Sequence, residues 1–277
     1  MPDPAPAATE AEAAYDSYAI DYRDWWAPVI APAAVRLLDR LDGLLSTAAT
    51  VVDIGTGTGT LALAALRRWP RMRVIGVDPA RRLLEFAQAD ARAARLADRL
   101  TVATGSADRL PVPDQAADAA ISSFVLQLVP NRAAAVREAH RILRPGGVFA
   151  SLTWRTEEDP FELEDVFDDA LDALRISPPK PKPGAGHSYP SAASAAAELR
   201  RAGFRSVSAR EEWLEHRFSP QSYLDVAEHW TEDETFASVD EPMRRRLRAE
   251  VLRRLERLDP ELLVWRRPLV SVVGQRP

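Results

Sequence analysis

Short runs of consecutive apolar residues alternate with segments of helical periodicity along residues 50–154. The first run, Val51 to Ile54, contains the β-branched residues that are typical of a strand covered on both faces. Strand and helix patterns alternate five times in this stretch, which predicts a doubly wound parallel sheet with helices on both faces.

Helical periodicity extends to both sides of this core. It predicts one or two helices within residues 15–45, a helix at 158–176 and a helix at 191–202 that Gly203 ends as a C-cap. The proline-rich residues 178–186 cannot form a helix, so we expect a loop there.

Two more strands are expected towards the C-terminus, at residues 204–218 and 263–273. Pro268 is expected to interrupt the second one, because proline cannot donate to a strand ladder. Residues 219–262 between them read as a largely helical insertion. Residues 1–14 are rich in proline and alanine and are predicted to be a disordered tail, which leaves 15–277 as a single domain.

Composition excludes several classes of protein. The 277 residues include no cysteine, which excludes disulfides and thiolate metal sites. The net charge of −5 argues against a nucleic-acid groove, and the arginine-rich residues 244–257 read as the solvated face of an amphipathic helix. No apolar run has transmembrane length and the N-terminus lacks signal-peptide features, so we expect a cytoplasmic protein with no membrane partner.

The most specific local pattern is a glycine-rich turn directly after the first strand. Gly55, Gly57 and Gly59 allow positive φ angles and let a ligand lie against bare backbone. The dinucleotide fingerprint requires a further glycine where Thr60 stands. The carboxylate of Asp53 would also repel a pyrophosphate, but it suits a ligand that carries an ammonium group.

A second acidic residue follows the next predicted strand, residues 72–78. Asp78 comes 25 residues after Asp53, and a carboxylate in this place can accept both hydroxyl groups of a ribose. It is also followed by Pro79 and helix formers, which is a good helix start. Both roles are open.

Three later segments complete an ordered pattern: the loop at 105–111, the strand region 116–126 and the turn of Pro145, Gly146 and Gly147. Together with the two acidic strand ends, they resemble the motifs of the class I S-adenosylmethionine (SAM)-dependent methyltransferases, in their small-molecule branch. The resemblance implies a Rossmann-like sheet of seven strands whose last strand runs antiparallel between the fifth and sixth. It also implies a helical lid from the N-terminal residues 15–45 and the insertion.

The resemblance also implies roles in cofactor binding. Residues after the third strand would hold the adenine, and those after the fourth would face the methionine end, which an N-terminal tyrosine would cover. The predicted cofactor-binding residues are Asp53, Gly55, Thr56, Gly57, Gly59, Asp78, Pro79, Ser106, Ala107, Asp108, Ser123, Phe124 and Tyr22. The cofactor would be SAM, released as S-adenosylhomocysteine.

The acceptor side has no comparable motif. Aromatic residues of the N-terminal segment and the insertion predict a substrate pocket formed by Tyr15, Trp26, Tyr223 and Trp230, with plain helix packing as the alternative. His187, His216 and His229 are candidate general bases, and each of them can equally be structural. No cluster has metal-ligand spacing, so no metal is expected.

These patterns predict methyl transfer from SAM to a small-molecule acceptor at oxygen, nitrogen or carbon, by in-line displacement. The alternative is a SAM-binding accessory or regulatory protein that lacks transfer activity. A monomer or a homodimer fits either possibility.

Overall fold

The computed structural model describes residues 16–45, 49–156, 162–179 and 188–277. The predicted tail, Tyr15, His187 and most of the proline-rich loop lie outside the described residues.

A seven-stranded sheet forms the centre of the molecule, in the order β3-β2-β1-β4-β5-β7-β6. The first five strands pair in parallel, whereas β7 runs antiparallel to both β5 and β6. The predicted doubly wound sheet, with its last strand between the fifth and sixth, is therefore confirmed. The strands are β1 Thr50–Ile54, β2 Arg73–Asp78, β3 Leu100–Thr104, β4 Ala117–Ser123, β5 Leu143–Trp154, β6 Arg205–Arg217 and β7 Val264–Gln275.

Helices cover both faces of this sheet. In the central strand β1, Val51 packs in one core cluster, while Val52 and Ile54 pack in a second cluster on the opposite face. This two-sided burial explains the apolar run in the sequence. The helices are α1 Ala19–Asp21, α2 Ala27–Arg36, α3 Thr60–Arg68, α4 Arg81–Ala93, α5 Arg132–Ile142, α6 Glu162–Leu174, α7 Ala192–Arg201, α8 Pro220–Val226, α9 Asp233–Ala237 and α10 Glu241–Leu255.

Pro268 does not interrupt the last strand, so that expectation is wrong. β7 runs unbroken past it, with Pro268 opposite Trp213 of β6. The carbonyl of Pro268 accepts the N–H of Arg155 at 2.9 Å, just beyond the last β5 pair, Trp154 with Leu269. The proline nitrogen faces the same side as its carbonyl, towards β5, so the missing N–H costs one bond at the point where β5 pairing ends and leaves the pairing with β6 intact.

Two widened π-helical turns, Tyr22–Trp26 and Ala227–Thr231, face each other above the sheet. The first belongs to the cap (residues 16–45) and the second to the insertion (residues 219–262). Consecutive rings join them: Trp25 stacks on His229 with centroids 4.8 Å apart, and Trp26 stacks on Trp230 at 6.0 Å. The sequence does not predict these turns, which are frequent at functional sites.

The insertion packs on α6 around its own apolar cluster, which includes Leu163, Phe167, Leu247 and Val251. None of the helices in the described ranges is long and apolar enough to cross a membrane.

Candidate functional site

The glycine-rich turn after β1 forms a cradle of bare backbone. Gly55 has φ +71°, and a Cβ added there would lie 2.2 Å from Val125, so only glycine fits. Gly57 has φ +53°, and a Cβ there would lie 3.7 Å from the ring of Tyr22. The turn is thus pressed against the loop after β4 on one side and approached by the cap on the other.

Asp53 lies at the end of β1 with only 1% of its surface exposed. Its carboxylate accepts a hydrogen bond from the Thr56 hydroxyl at 2.8 Å. The pKa of Asp53 is raised to about 7, chiefly by burial; the charge of the nearby Asp78 contributes to the rise, and the Thr56 hydroxyl and the Ala62 N–H oppose it. A cation bound beside this carboxylate would favour its ionised form.

Asp78 lies at the end of β2 and contacts the same turn. Its two oxygens accept the N–H groups of Gly57 and Ala80, each at 2.9 Å. Burial raises the pKa of Asp78 to about 6 against these two bonds. Each carboxylate oxygen has a second lone pair, so the helix-start role and the acceptance of ribose hydroxyls are compatible.

The cap closes over this carboxylate through Asp16, a residue that the sequence reasoning missed. Asp16 accepts the backbone N–H of Arg82 in the first turn of α4 at 3.0 Å, and its charge helps to raise the pKa of Asp78. No local pattern marks Asp16, because its partner lies 66 residues away.

The loop after β3 carries the residues predicted to hold the adenine. The Ser106 hydroxyl donates to the Asp108 carboxylate at 2.7 Å, Ala107 between them is buried and Asp108 is exposed. Because β3, β2, β1 and β4 are neighbours in the sheet, this loop lies at the same edge as Asp53 and Asp78. The remaining predicted cofactor residues, Gly59, Pro79 and Ser123, also follow or end these strands.

Phe124, directly after β4, holds a left-handed backbone conformation with φ +57°. This is a genuine outlier for a bulky residue and costs about 1–3 kcal/mol. Its N–H donates to the Leu152 carbonyl at 2.8 Å, and its carbonyl accepts from the buried Gln127 side chain at 2.7 Å. Gln127, a second residue that sequence reasoning missed, also accepts the Thr153 hydroxyl and so ties this conformation to β5.

Six aromatic rings contact one another in a chain that runs from Tyr22, beside the glycine turn, to Trp265 of β7, and we call this chain the aromatic wall. Trp26 is its hub, with centroids 6.5 Å from Trp154, 6.0 Å from Trp230 and 5.6 Å from Trp265. Tyr22 contacts Trp230 at 5.5 Å and Phe124 contacts Trp154 at 4.6 Å. The wall consists of Tyr22, Trp26, Phe124, Trp154, Trp230 and Trp265.

Sequence reasoning predicted part of this wall. The sequence predicts Tyr22, Trp26, Phe124 and Trp230 as site residues, but it does not predict Trp154 or Trp265. Their positions in the predicted strands could have indicated both residues. Trp154 ends β5 and Trp265 lies near the start of the antiparallel β7, so both lie at the edge of the sheet where the parallel strands end.

Tyr223, predicted as a pocket residue, lies elsewhere. It is buried in the cluster of the insertion, its ring contacts Phe218 at 5.5 Å and its hydroxyl donates to the Leu163 carbonyl at 3.0 Å. Tyr15, the other pocket prediction, lies outside the described residues.

The histidine candidates occupy different places. His229 stacks on Trp25, and its Nδ1 lies 4.0 Å from the Asp21 carboxylate across the contact between cap and insertion. His216 pairs with Trp265 across β6 and β7, which puts both side chains on one sheet face, and burial lowers its pKa. His187 lies outside the described part of the chain.

In the ranges that the structure describes, no group of three or more histidines and carboxylates could hold a metal ion. The two buried carboxylates, Asp53 and Asp78, lie on either side of one glycine turn at the carboxyl edge of the sheet.

Sequence comparison identifies the family. A family model described as a methyltransferase domain matches residues 52–151. A malonyl-[acyl-carrier protein] O-methyltransferase of Geobacter sulfurreducens is 32% identical over 200 residues, which is 72% of this chain and 71% of that protein. The chain belongs to the class I SAM-dependent methyltransferases, and the predicted family is therefore confirmed.

Other curated relatives match over a shorter stretch. A ubiquinone/menaquinone biosynthesis C-methyltransferase of Syntrophotalea carbinolica is 34% identical over 128 residues, 46% of this chain and 51% of that protein. The chain spans about half the length of several such relatives.

Solved structures show the same fold at low identity. A [4+2]-cyclase covers 99% of this chain with a TM-score of 0.62 and 20% identity, and the match covers 98% of that structure. A geranyl diphosphate methyltransferase in complex with SAM covers 89% of this chain with a TM-score of 0.52 and 17% identity, and the match covers 85% of that structure.

Proposed function

We propose that this protein transfers the methyl group of SAM to a small-molecule acceptor that lies on the aromatic wall. The observation that carries this proposal is the pair of buried carboxylates, Asp53 and Asp78, held on either side of one glycine turn. The family to which the chain belongs supports the same cofactor.

The residues present fit SAM. Asp53, whose pKa is raised by burial, would hold the ammonium of the methionine moiety, and Asp78 would accept the ribose hydroxyls. Ser106, Ala107 and Asp108 would surround the adenine. When bound, SAM supplies an activated methyl group on a sulfonium sulfur.

The chain's own contribution is positioning and exclusion of water. The cap and the insertion would roof the site, with Tyr22 beside the cofactor and Trp26 and Trp230 beside the acceptor. His216 and His229 are the candidate bases for an acceptor that must lose a proton, and neither is needed for an acceptor that is already ionised.

The relatives support a small-molecule acceptor: their names specify a C-methyltransferase of quinone biosynthesis and an O-methyltransferase of a malonyl group on a carrier protein. We propose such an acceptor here, without nucleic acid or membrane as a partner, in a cytoplasmic monomer or homodimer.

The direct test is calorimetry with SAM, with NADPH as the control ligand, on the wild type and on Asp78→Ala. We expect SAM alone to bind, and Asp78→Ala to weaken its binding more than tenfold, because a doubly accepting carboxylate is lost. Asp98→Ala, at an exposed position before β3, is the matched control.

Absence of SAM binding to the folded wild type would overturn the proposal, and an unchanged affinity of Asp78→Ala would overturn the ribose role. SAM binding without formation of S-adenosylhomocysteine across a broad acceptor panel would favour the accessory or regulatory alternative.

A further inference from the structure

We propose that Gln127 is a positioning residue for methyl transfer: it fixes the loop after β4, and through that loop it holds the aromatic wall against the cofactor turn. The inference rests on the proposed function and adds the residue that sets the geometry between the two sides of the site. Three observations carry it: the strained conformation of Phe124, the hydrogen bonds that hold this conformation, and the two surfaces that the loop contacts.

The loop begins with a residue in an unfavourable conformation. Phe124 is buried and has φ +57°, although a side chain of this size rarely adopts the left-handed region. Such a conformation persists only where its surroundings fix it. The N–H of Phe124 donates to the Leu152 carbonyl at 2.8 Å. That bond fixes the N–H side of Phe124 but leaves its ψ angle, and hence the course of the loop, undetermined.

Gln127 supplies the second contact that the loop requires. Its Nε2 donates to the Phe124 carbonyl at 2.7 Å, and its Oε1 accepts the hydroxyl of Thr153. A carbonyl oxygen can only accept, so the amide nitrogen faces Phe124 and the amide oxygen faces Thr153. Gln127 is 5% exposed and Thr153 is fully buried, so both bonds are shielded from water. The side chain thus ties the loop backbone to β5.

The fixed loop contacts both sides of the proposed site. On one side, the ring of Phe124 lies 4.6 Å from that of Trp154 in the aromatic wall. On the other side, Val125 packs so closely on the glycine turn that a Cβ added to Gly55 would lie 2.2 Å from it. Two consecutive residues therefore connect the wall with the cofactor turn, and the backbone of Phe124 determines where both side chains lie.

Methyl transfer makes this connection important. An in-line displacement needs the acceptor atom, the methyl carbon and the sulfur in one line, and a misplacement of about 1 Å can cost about a hundredfold in rate. Without Gln127, Phe124 can relax towards an ordinary φ angle. The rings of the wall and the support of the glycine turn would then shift relative to each other, although every residue that contacts the ligands is still present.

The first test measures the wall by ¹⁹F NMR on the protein labelled with 5-fluorotryptophan. Trp154→Phe and Trp69→Phe assign the two signals that matter. In Gln127→Leu, which keeps much of the side-chain volume and loses both bonds, we expect the Trp154 signal to shift by more than its linewidth. The signal of Trp69, at the end of α3 and outside the wall, should stay in place.

The second test measures affinity for S-adenosylhomocysteine by calorimetry. We expect Gln127→Leu to bind it about fivefold more weakly, because the ligand must then impose a loop conformation that about one hydrogen bond held before. With the acceptor that gives the fastest turnover in the panel, kcat should fall by a larger factor than the affinity. The NMR signal and the affinity need no acceptor and decide the question by themselves.

Two threonine variants separate the hydrogen bonds from the packing. Thr153→Val removes the hydroxyl that orients the Gln127 amide, so it should resemble Gln127→Leu in signal and affinity. Thr153→Ser keeps the hydroxyl and should resemble the wild type.

Gln275→Leu is the matched control. The Nε2 of Gln275 donates at 2.9 Å to the carbonyl of Gly146, which has φ +81°, at the opposite edge of the sheet. Because glycine needs no support in this conformation, Gln275→Leu should leave the Trp154 signal in place and bind S-adenosylhomocysteine within about twofold of wild type.

The two levels of the proposal fail separately. If S-adenosylhomocysteine does not bind to the wild type, the proposed function fails. If it binds, and Gln127→Leu loses stability while its affinity and Trp154 signal stay unchanged, Gln127 is merely structural and only the positioning role fails. Equal behaviour of Thr153→Ser and Thr153→Val would overturn that role as well. If Gln127→Leu does not fold, the two threonine variants decide between these outcomes.

Discussion

At the residue scale, the roles proposed for the two buried carboxylates imply that cofactor affinity depends on pH. Burial raises the pKa of Asp53 to about 7 and that of Asp78 to about 6. The ammonium of SAM favours the ionised Asp53, so below pH 7 the ligand must displace a proton. We expect SAM affinity to fall between pH 8 and pH 5.5, by up to about tenfold per pH unit below the pKa.

Calorimetry at several pH values in one ionic strength checks this prediction. Asp53→Asn removes the titrating group and should bind weakly with a flatter profile. An affinity in the wild type that does not change across this range would contradict the role assigned to Asp53.

Without ligand, the buried Asp53 carboxylate makes the folded protein less stable as the pH rises, whereas its predicted effect on SAM affinity has the opposite sign. Its pKa in the folded protein is above the unfolded value, so its contribution to stability is present below about pH 3.9 and is lost as the pH rises through 7. Asp53→Asn should therefore raise the free energy of unfolding at pH 8, by at most about 4 kcal/mol for three pKa units. The gain should be smaller at pH 5.

Denaturant unfolding of both proteins at pH 8 and pH 5 measures this difference. A variant that is less stable than wild type at pH 8 would show that Asp53 is ionised and favourably solvated in the folded state, contrary to the burial that the structure shows.

Individual site residues were predictable where the chemistry is local in sequence. Asp53, Gly55 and Gly57 lie within one turn, and Asp78 ends the next strand, so motif spacing reveals them. Trp154 and Trp265 meet only because β7 inserts beside β5, and Gln127 matters only because Phe124 adopts a left-handed conformation. These relations depend on tertiary structure, and no window of sequence contains them.

At the element scale, a buried carboxylate joins two helical segments within the insertion. Glu228, in the widened turn of the insertion, is ion-paired with Arg244 at 2.8 Å and with Arg248, both on α10. Its side chain is 8% exposed, whereas the two arginines are about one-third exposed. Glu228→Ala should destabilise the insertion by roughly 1–3 kcal/mol, less than a fully buried pair would cost.

Hydrogen exchange monitored by mass spectrometry should locate this effect in residues 219–262. Glu241→Ala is the matched control, because Glu241 pairs with Arg245 at the surface and such pairs are worth less than about 1 kcal/mol. Equal exchange in both variants would mean that the buried pair does not stabilise the insertion.

The helices and strands were predictable where the spacing of apolar residues distinguishes a helix from a strand. The helix expected at 191–202 is α7, Ala192–Arg201, and Gly203 follows it with φ +101° as the C-cap pattern requires. Pro268 misled the prediction because the cost of a proline depends on which neighbour its nitrogen faces. The two widened turns were missed because an additional residue in a helical turn leaves the apolar pattern almost unchanged.

At the scale of the whole molecule, the proposed cofactor site lies between the sheet and the cap, so a ligand there should stabilise both. S-adenosylhomocysteine at 100 times its dissociation constant should add about 2.7 kcal/mol to the free energy of unfolding. For a chain of this size we expect the melting temperature to rise by roughly 5–10 °C.

Thermal unfolding with S-adenosylhomocysteine and, separately, with NADPH measures this effect. Hydrogen exchange should also slow in residues 16–26 when the first ligand is present. Stabilisation by NADPH of similar size would contradict the assignment of the ligand class.

The global fold was predictable because five alternations of strand and helix leave few topologies open, and the family resemblance places the last strand. The position of the cap and the insertion over the sheet was less predictable. This position depends on the hydrogen bond between Asp16 and Arg82. It also depends on the stacking of Trp25 and Trp26 of the cap on His229 and Trp230 of the insertion, about 200 residues away.

The widened turns make the proposed acceptor side sensitive to chain length as well as to composition. In the cap, the N–H of Ala27 reaches back five residues to the carbonyl of Tyr22, and in the insertion Glu232 reaches back to Ala227. Deleting one residue from either turn would rotate everything beyond it by about 100°. The stacking contact between Trp26 and Trp230 would then be lost, although both rings would still be present. Single-residue insertions and deletions, rather than substitutions, would thus change the acceptor surface most abruptly.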